Sequence, residues 1–241
     1  MSDFLKSKHV FIFIFFFLFL LSMLLPVLPA TLVAAPIRYQ LNERPMRTKV
    51  VRKTNNKLPL IYLDPGHGAL DFGAVIKRPH VEEKKLCLLT AHYTKRFLEQ
   101  LGYRVSLTRS RDIYVPLEKR ASLANRFKAG LYISIHYNSC PNPAIDGIEI
   151  YYHDKPGARK TVSSKRLAEK VLTQMLARTK ARSRGVKRGN FLVIRETHMP
   201  SILVEAGFMT NVRERNKIRQ RQYLLRLSKG IAEGINSFIK S

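Results

Sequence analysis

Two histidines and two glutamates lie where the predicted strands and helices of this chain begin or end. His67 follows a short apolar run and sits between two glycines in the segment LDPGHG, where the backbone can turn sharply. His136 and Glu205 each end another apolar run, and Glu83 lies in the first turn of a predicted helix, where the helix dipole favours a negative charge. In a parallel sheet the carboxyl ends of the strands meet at one edge, so these side chains should converge there.

This set of side chains suits metal-assisted hydrolysis. Two imidazoles and one carboxylate form a ligand set that zinc accepts in catalytic sites, with the fourth position left for water. We therefore expect His67, Glu83 and His136 to bind Zn²⁺, and Glu205 to act as general base on the attacking water. Spacing alone leaves other roles open, since a histidine after a strand is commonly a hydrogen-bonded loop residue and a glutamate at a helix start is commonly a cap.

Apolar periodicity predicts alternating strands and helices, which indicates an α/β fold. We expect a single domain with a mostly parallel central sheet of about six strands and helices on both faces. The predicted strands cover about residues 58–64, 103–108, 131–137, 148–152, 191–194 and 201–205, and the predicted helices cover about residues 84–101, 116–128, 163–179 and 212–238.

The sequence divides into three predicted parts. Residues 1–35 indicate an export signal or an N-terminal membrane anchor, because a positively charged start is followed by a long apolar run. Small residues favour cleavage after Ala30 or Ala35, and an uncleaved anchor is the alternative. Residues 36–57 are polar and basic without periodicity, which predicts a linker, and residues 58–241 are expected to form the catalytic domain.

Four segments that carry the candidate site residues form a specific combination. They are LDPGHG with His67, the pair Glu83-Lys84, SIHYNS with His136, and LVEAGFMTN with Glu205. Together they resemble the zinc-dependent N-acetylmuramoyl-L-alanine amidases of the Amidase_3 type, from about residue 58 to the C-terminus. The resemblance implies the amidase fold, a zinc cofactor, and hydrolysis of the amide bond between N-acetylmuramic acid and L-alanine of the peptide stem.

Four details of the resemblance bear on the site. Glu82 stands beside Glu83 and competes with it for the ligand role, and Tyr137 replaces the usual small residue after the ligand histidine. Ala206 and Met209 also differ in bulk from the family pattern in the segment of Glu205, and none of these departures removes a catalytic atom. The stretch between Tyr152 and Ser163 is short, which implies that the inserted helix that plugs the site in some relatives is absent. We therefore predict that the enzyme needs no activator.

The charge of the chain indicates a polyanionic partner. Its 43 Lys and Arg against 17 Asp and Glu give a formal net charge of +26. For an exported chain we expect peptidoglycan with its stem carboxylates, or an anionic envelope surface, rather than nucleic acid, for which no recognition motif is present. The predicted location is the periplasm or cell envelope, the predicted role is wall remodelling or daughter-cell separation, and we expect a monomer.

Other functions and other polar residues stay open at this stage. A murein-binding protein without turnover, or a carboxypeptidase or endopeptidase acting within the stem, would share most of these features. His80 could contact substrate, and Arg109 and Arg195 could meet stem carboxylates, although ordinary packing or surface roles are more common. Cys87 and Cys140 are too few for a disulfide scaffold, and the apolar helical pattern around Cys87 favours a buried thiol over a disulfide.

Overall fold

The computed structural model describes residues 58–154 and 159–241, and the predicted segments 1–35 and 36–57 lie outside the described residues. Strands and helices alternate along the described chain. The strands are β1 (Leu60–Pro65), β2 (Val75–Ile76), β3 (Val81–Glu82), β4 (Arg104–Leu107), β5 (Leu131–Asn138), β6 (Ile148–Tyr152), β7 (Ser183–Arg188) and β8 (Ser201–Phe208). The helices are α1 (Glu83–Gln100), α2 (Leu117–Arg126), α3 (Arg159–Thr179), α4 (Leu192–Arg195), α5 (Val212–Ile218) and α6 (Arg221–Ile239).

Six strands form the central sheet in the order β4-β1-β5-β8-β6-β7. Strand β1 pairs in parallel with β4 and β5, β5 pairs in parallel with β8, and β6 pairs in parallel with β7. The pair of β6 with β8 is antiparallel, and β2 and β3 form a separate small hairpin. The predicted α/β domain with a mostly parallel six-stranded sheet is therefore confirmed.

Side chains of the central strands alternate between two buried faces of the sheet. On one side, helix α6 packs against both α1 and α3. The other side carries Tyr62, Tyr132 and Leu203, which form a buried cluster with Val193 and Ile194 of α4. Helices therefore cover both faces, as the sequence predicts. The short helix α4 brings its own apolar residues close to the ends of the strands that carry the predicted site residues.

The predicted strand over 191–194 is wrong, because these residues begin the short helix α4. The backbone N–H groups of Ile194 and Arg195 both donate to the carbonyl oxygen of Phe191, at 3.1 and 2.9 Å. A four-residue apolar run has no period that separates a buried helical turn from a strand. The sixth strand is instead β7, whose sequence SRGVKR has no apolar alternation and gives no strand signal.

The predicted C-terminal helix over 212–238 is divided in two. Helix α5 begins after the cap residue Asn211, whose side chain accepts a hydrogen bond from the backbone N–H of Glu214. Gln220 has an extended backbone and starts α6. The apolar stripe continues across this break, which is why periodicity alone indicates one helix.

Candidate active site

The adjacent strands β1, β5 and β8 carry three of the predicted site residues to one edge of the sheet. His136 of β5 pairs in register with Glu205 of β8, so the two side chains lie on the same face. His67 follows β1, and Glu83 is the first residue of α1. All four residues line one cavity of about 480 Å³. The structure thus brings together the four residues that the sequence singles out.

Three potential metal-binding groups meet in this cavity. Oε1 of Glu83 lies 3.0 Å from Nε2 of His67 and 3.0 Å from Nδ1 of His136. One ligand atom from each residue lies within 4.8 Å of the other two. Ligand atoms held about 2.0–2.1 Å from a tetrahedral zinc ion are about 3.3 Å apart, so the donor types and their spacing fit such an ion. The arrangement could therefore hold a divalent metal.

The neighbouring residues Glu82 and Glu83 have different partners. Besides the two histidines, Glu83 accepts a hydrogen bond at Oε2 from the backbone N–H of Ala74, at 2.8 Å. Glu82 lies 2.6 Å from Nε2 of His80 and 3.0 Å from the ammonium of Lys85. The structure thus places Glu83, and not Glu82, against the two imidazoles, and it engages His80 with Glu82.

The loop after β1 requires two glycines because it passes close to the site residues. A Cβ atom on Gly66 would lie 2.2 Å from Cε1 of His136, and one on Gly73 would lie 2.5 Å from Oε2 of Glu83. His67 itself has φ 61, a left-handed conformation that costs energy in a residue other than glycine. The loop is therefore pressed against both imidazoles, and a side chain at either glycine would displace a site residue.

Polar side chains hold this loop in place. Oδ1 of Asp71 lies 2.8 Å from Nδ1 of His67, which leaves Nε2 to face Glu83. The buried Arg120 donates to the carbonyl oxygen of His67 and to the carboxylate of Asp64, at 2.8 and 3.0 Å. Sequence reasoning missed the role of Asp71, for which its position four residues after His67 was the available signal.

The two glutamates of the site differ in their protonation behaviour. Burial raises the pKa of Glu83, but hydrogen bonds and charge from His136 and His67 outweigh it and hold that pKa well below its ordinary value. Burial raises the pKa of Glu205 well above its ordinary value, and the negative charges of Glu83 and Glu149 raise it further. Oε2 of Glu205 is buried and has no hydrogen-bond partner among the described residues. Glu83 is thus suited to bind a cation, and Glu205 is suited to exchange a proton.

A second buried carboxylate, Glu149, lies beside Glu205. The two residues pair in register across β6 and β8, and Glu149 is 3% exposed. The carboxylate of Glu149 accepts hydrogen bonds from four side chains, those of Asn138, Tyr151, Arg184 and Lys187. A glutamate in the middle of the apolar run IEIYY was the sequence signal for such a role. Glu149 is therefore a fixed, fully hydrogen-bonded acidic neighbour of Glu205.

The structure also shows the surroundings of Arg109 and of the two cysteines that the sequence analysis considered. Arg109 is 2% exposed, and its guanidinium donates to the carbonyl oxygens of Gly66 and Lys84, at 2.6 and 2.9 Å. It therefore supports the loop and cannot reach the carboxylates of a peptide in the cavity. Cys87 is a buried free thiol in α1, and Cys140 is also free.

Comparison with known proteins places this site in an enzyme family. The sequence profile of Amidase_3, described as N-acetylmuramoyl-L-alanine amidase, matches residues 61–237. The chain belongs to this family. The amidase match includes all four site residues, and it confirms both the family and the enzyme class that the sequence motifs predict.

Individual amidases show the same relationship. The chain is 33% identical over 201 residues to N-acetylmuramoyl-L-alanine amidase LytC from Bacillus subtilis (strain 168). This alignment covers 83% of this chain and 40% of LytC. The chain therefore spans less than half of the length of LytC. A crystal structure of an N-acetylmuramoyl-L-alanine amidase from Clostridium difficile 630 has 37% identity and a TM-score of 0.72, and covers 76% of this chain and 97% of that one. The catalytic domain of CwlV from Bacillus (Paenibacillus) polymyxa var. colistinus has 34% identity and a TM-score of 0.71, with 76% and 99% coverage.

Proposed function

We propose that the chain is a zinc-dependent peptidoglycan amidase that hydrolyses the bond between N-acetylmuramic acid and L-alanine of the peptide stem. The observation that carries this proposal is the meeting of His67, Glu83 and His136 in the cavity that also holds the unpartnered carboxylate oxygen of Glu205. Membership of the amidase family supplies the substrate class.

Each site residue has a proposed part in the reaction. His67, Glu83 and His136 would hold zinc, which when bound polarises the scissile carbonyl and the attacking water. Asp71 orients His67 by bonding to Nδ1, so that Nε2 faces the site. The carboxylate of Glu205 would accept a proton from the attacking water and then deliver it to the nitrogen of the leaving L-alanine.

We expect the fall in activity at low pH to follow the protonation of the Glu205 carboxylate. A general base acts only when it is ionised, and burial together with the charges of Glu83 and Glu149 raises the pKa of Glu205. We therefore expect kcat/KM to fall as the pH drops through the pKa of Glu205. Glu149→Gln removes one of the negative charges, so its profile should be displaced toward lower pH.

The displacement can be measured as kcat/KM against pH for the unmodified protein and for Glu149→Gln. Glu118→Gln is a matched control, because Glu118 is an exposed carboxylate on α2 outside the cavity. Its profile should coincide with that of the unmodified protein. Coincident profiles for Glu149→Gln and the unmodified protein would remove Glu149 from the electrostatics of the base.

Digestion of purified peptidoglycan tests the proposed function itself. Mass spectrometry of the soluble products should show stem peptides that begin with a free L-alanine amine, together with glycans that lack stems. Stems shortened or divided within the peptide would indicate carboxypeptidase or endopeptidase activity instead. Binding to peptidoglycan without release of fragments would indicate a murein-binding protein without turnover.

The proposed location is the bacterial cell envelope. A relative from Staphylococcus saprophyticus, 31% identical, is named a probable cell wall amidase, and the net charge of +26 suits an anionic envelope or wall. In the parts of the chain that the structure describes, no helix has the length and apolar character needed to cross a bilayer. We propose wall remodelling or daughter-cell separation as the role.

The connection between β6 and α3 bears on regulation. Strand β6 ends at Tyr152 and α3 begins at Arg159, and residues 155–158 between them lie outside the described residues. Independence from an activator therefore stays a prediction. Stimulation of the purified enzyme by a partner protein would contradict it.

A further inference from the structure

Three large apolar side chains in the cavity wall are exposed to solvent. Tyr114 is 57% exposed, Leu117 is 51% exposed and Phe191 is 39% exposed, and all three line the cavity that holds the site residues. We call these three residues the apolar wall. Ligand pockets are typically lined by apolar and aromatic side chains that a bound molecule removes from water, so the apolar wall is a candidate contact surface for the substrate.

The apolar wall has a rigid support on both of its sides. The loop that carries Tyr114 is fixed by Arg120, whose Nε donates to the carbonyl oxygen of Val115 at 2.8 Å. The ring of Phe191 packs edge-on against Tyr151, with ring centroids 5.1 Å apart. The ring of Phe191 and the backbone beside Tyr114 are thus placed before a ligand arrives, which lowers the entropy cost of binding.

Gly189 has no side chain, and this leaves room for the ring of Phe191. A Cβ atom on Gly189 would lie 2.6 Å from Cε2 of Phe191 and 3.0 Å from Cδ1 of Tyr151. Glycine at this position therefore allows the two rings to pack as they do. The position of Phe191 in the cavity wall is consequently specified by its neighbours.

The charge of the cavity lining favours the sugar end of the substrate over the peptide stem. Among the described residues that line the cavity, Arg120 is the single lysine or arginine, and its guanidinium lies 3.0 Å from the carboxylate of Asp64. The lining therefore offers no free cation to the carboxylates of a peptide stem. Asn138 and Ser139 supply uncharged polar groups to the same lining, although the side-chain amide of Asn138 already donates to Glu149. Such a lining suits a sugar ring, whose C–H faces pack on aromatic rings and whose hydroxyl and acetamido groups form hydrogen bonds.

We propose that the apolar wall binds the sugar ring of N-acetylmuramic acid, so that the enzyme selects its substrate through the glycan side of the scissile bond. This inference rests on the proposed amidase function and specifies which part of the substrate the cavity holds. Tyr114 and Phe191 are the specificity-determining residues, and Leu117, the first residue of α2, is the third exposed apolar side chain of the wall.

Binding of a peptide-free disaccharide tests this proposal without any turnover. We expect the full-length protein to bind N-acetylglucosaminyl-N-acetylmuramic acid, measured by isothermal titration calorimetry or by chemical-shift changes. Tyr114→Ala and Phe191→Ala should each weaken binding by about tenfold, the effect of losing about 1.4 kcal/mol of contact. Phe127→Ala is the matched control, because Phe127 is an aromatic residue that is 56% exposed and lies outside the cavity lining, and its binding should be unchanged.

A pair of soluble substrates gives the corresponding kinetic test. One is a disaccharide peptide, and the other is the same peptide carrying only a D-lactyl group, so that both contain the same scissile amide. The variants Tyr114→Ala and Phe191→Ala should raise KM for the disaccharide peptide by about tenfold and leave kcat/KM for the lactyl peptide unchanged.

The outcomes separate this inference from the proposed function. Equal losses on both substrates, or no binding of the disaccharide by a protein that cleaves peptidoglycan, would overturn the sugar assignment and leave the amidase function intact. Disaccharide binding that depends on Tyr114 and Phe191 in a protein that releases no stem peptides would support the sugar assignment and overturn the proposed function.

Discussion

Glu205→Gln is expected to lower kcat for peptidoglycan hydrolysis by about 10²-fold to 10⁴-fold, the usual contribution of a general base. Glutamine keeps the size of the side chain but cannot accept the proton of the attacking water. Because the proposed ligands are His67, Glu83 and His136, the zinc content of the variant should equal that of the unmodified protein. Release of stem peptides gives kcat, and elemental analysis gives the zinc content.

A matched substitution controls for the general loss of a carboxylate. Glu196 is exposed, pairs with Arg195 at the surface and does not line the cavity, so Glu196→Gln should retain full activity. A Glu205→Gln protein with unreduced kcat would assign the proton transfer to another group. A Glu205→Gln protein that has lost its zinc would instead make Glu205 part of the metal site.

His67→Ala and His136→Ala are each expected to abolish both zinc binding and hydrolysis. Each substitution leaves one imidazole and the carboxylate of Glu83, which is one ligand fewer than a catalytic zinc site requires. We expect zinc occupancy near zero after dialysis and activity at or below that of Glu205→Gln. Elemental analysis and the peptide-release assay measure the two effects on the same preparation.

His198→Ala is the control for the histidine substitutions, since His198 is exposed and lies outside the cavity lining. It should retain both zinc and activity. Circular dichroism would establish that His67→Ala and His136→Ala are folded. Full zinc occupancy in a folded His67→Ala or His136→Ala protein would contradict the ligand assignment.

The strands that carry the site residues could be predicted because their sequences are short apolar runs that end in polar residues. The run LIYLD precedes His67, the run LYISI precedes His136, and SILV precedes Glu205. In a parallel sheet, residues at these ends must approach one another, so the order of the strands did not have to be known in advance. The register of His136 with Glu205 agrees with this reasoning.

The remaining features depend on tertiary contacts that leave no periodic signal. Strand β7 is recognisable by its pairing with β6, since its own residues are largely basic. Phe191 begins a helix because its carbonyl oxygen accepts two backbone hydrogen bonds, whereas its sequence neighbourhood equally suits a strand. The roles of Asp71 and Glu149 arise from the residues they face, His67 and Glu205. Their positions along the chain mark them as candidates, but only the tertiary structure shows which residues they contact.

Removal and return of the metal is the most direct test of a zinc-dependent amidase. The protein would be stripped with a chelator, shown by elemental analysis to be metal-free, and incubated with purified peptidoglycan before and after addition of one equivalent of zinc. We predict that the metal-free protein releases no stem peptides and that added zinc restores release of peptides with a free L-alanine amine. Undiminished release of those peptides by verified metal-free protein would contradict the account.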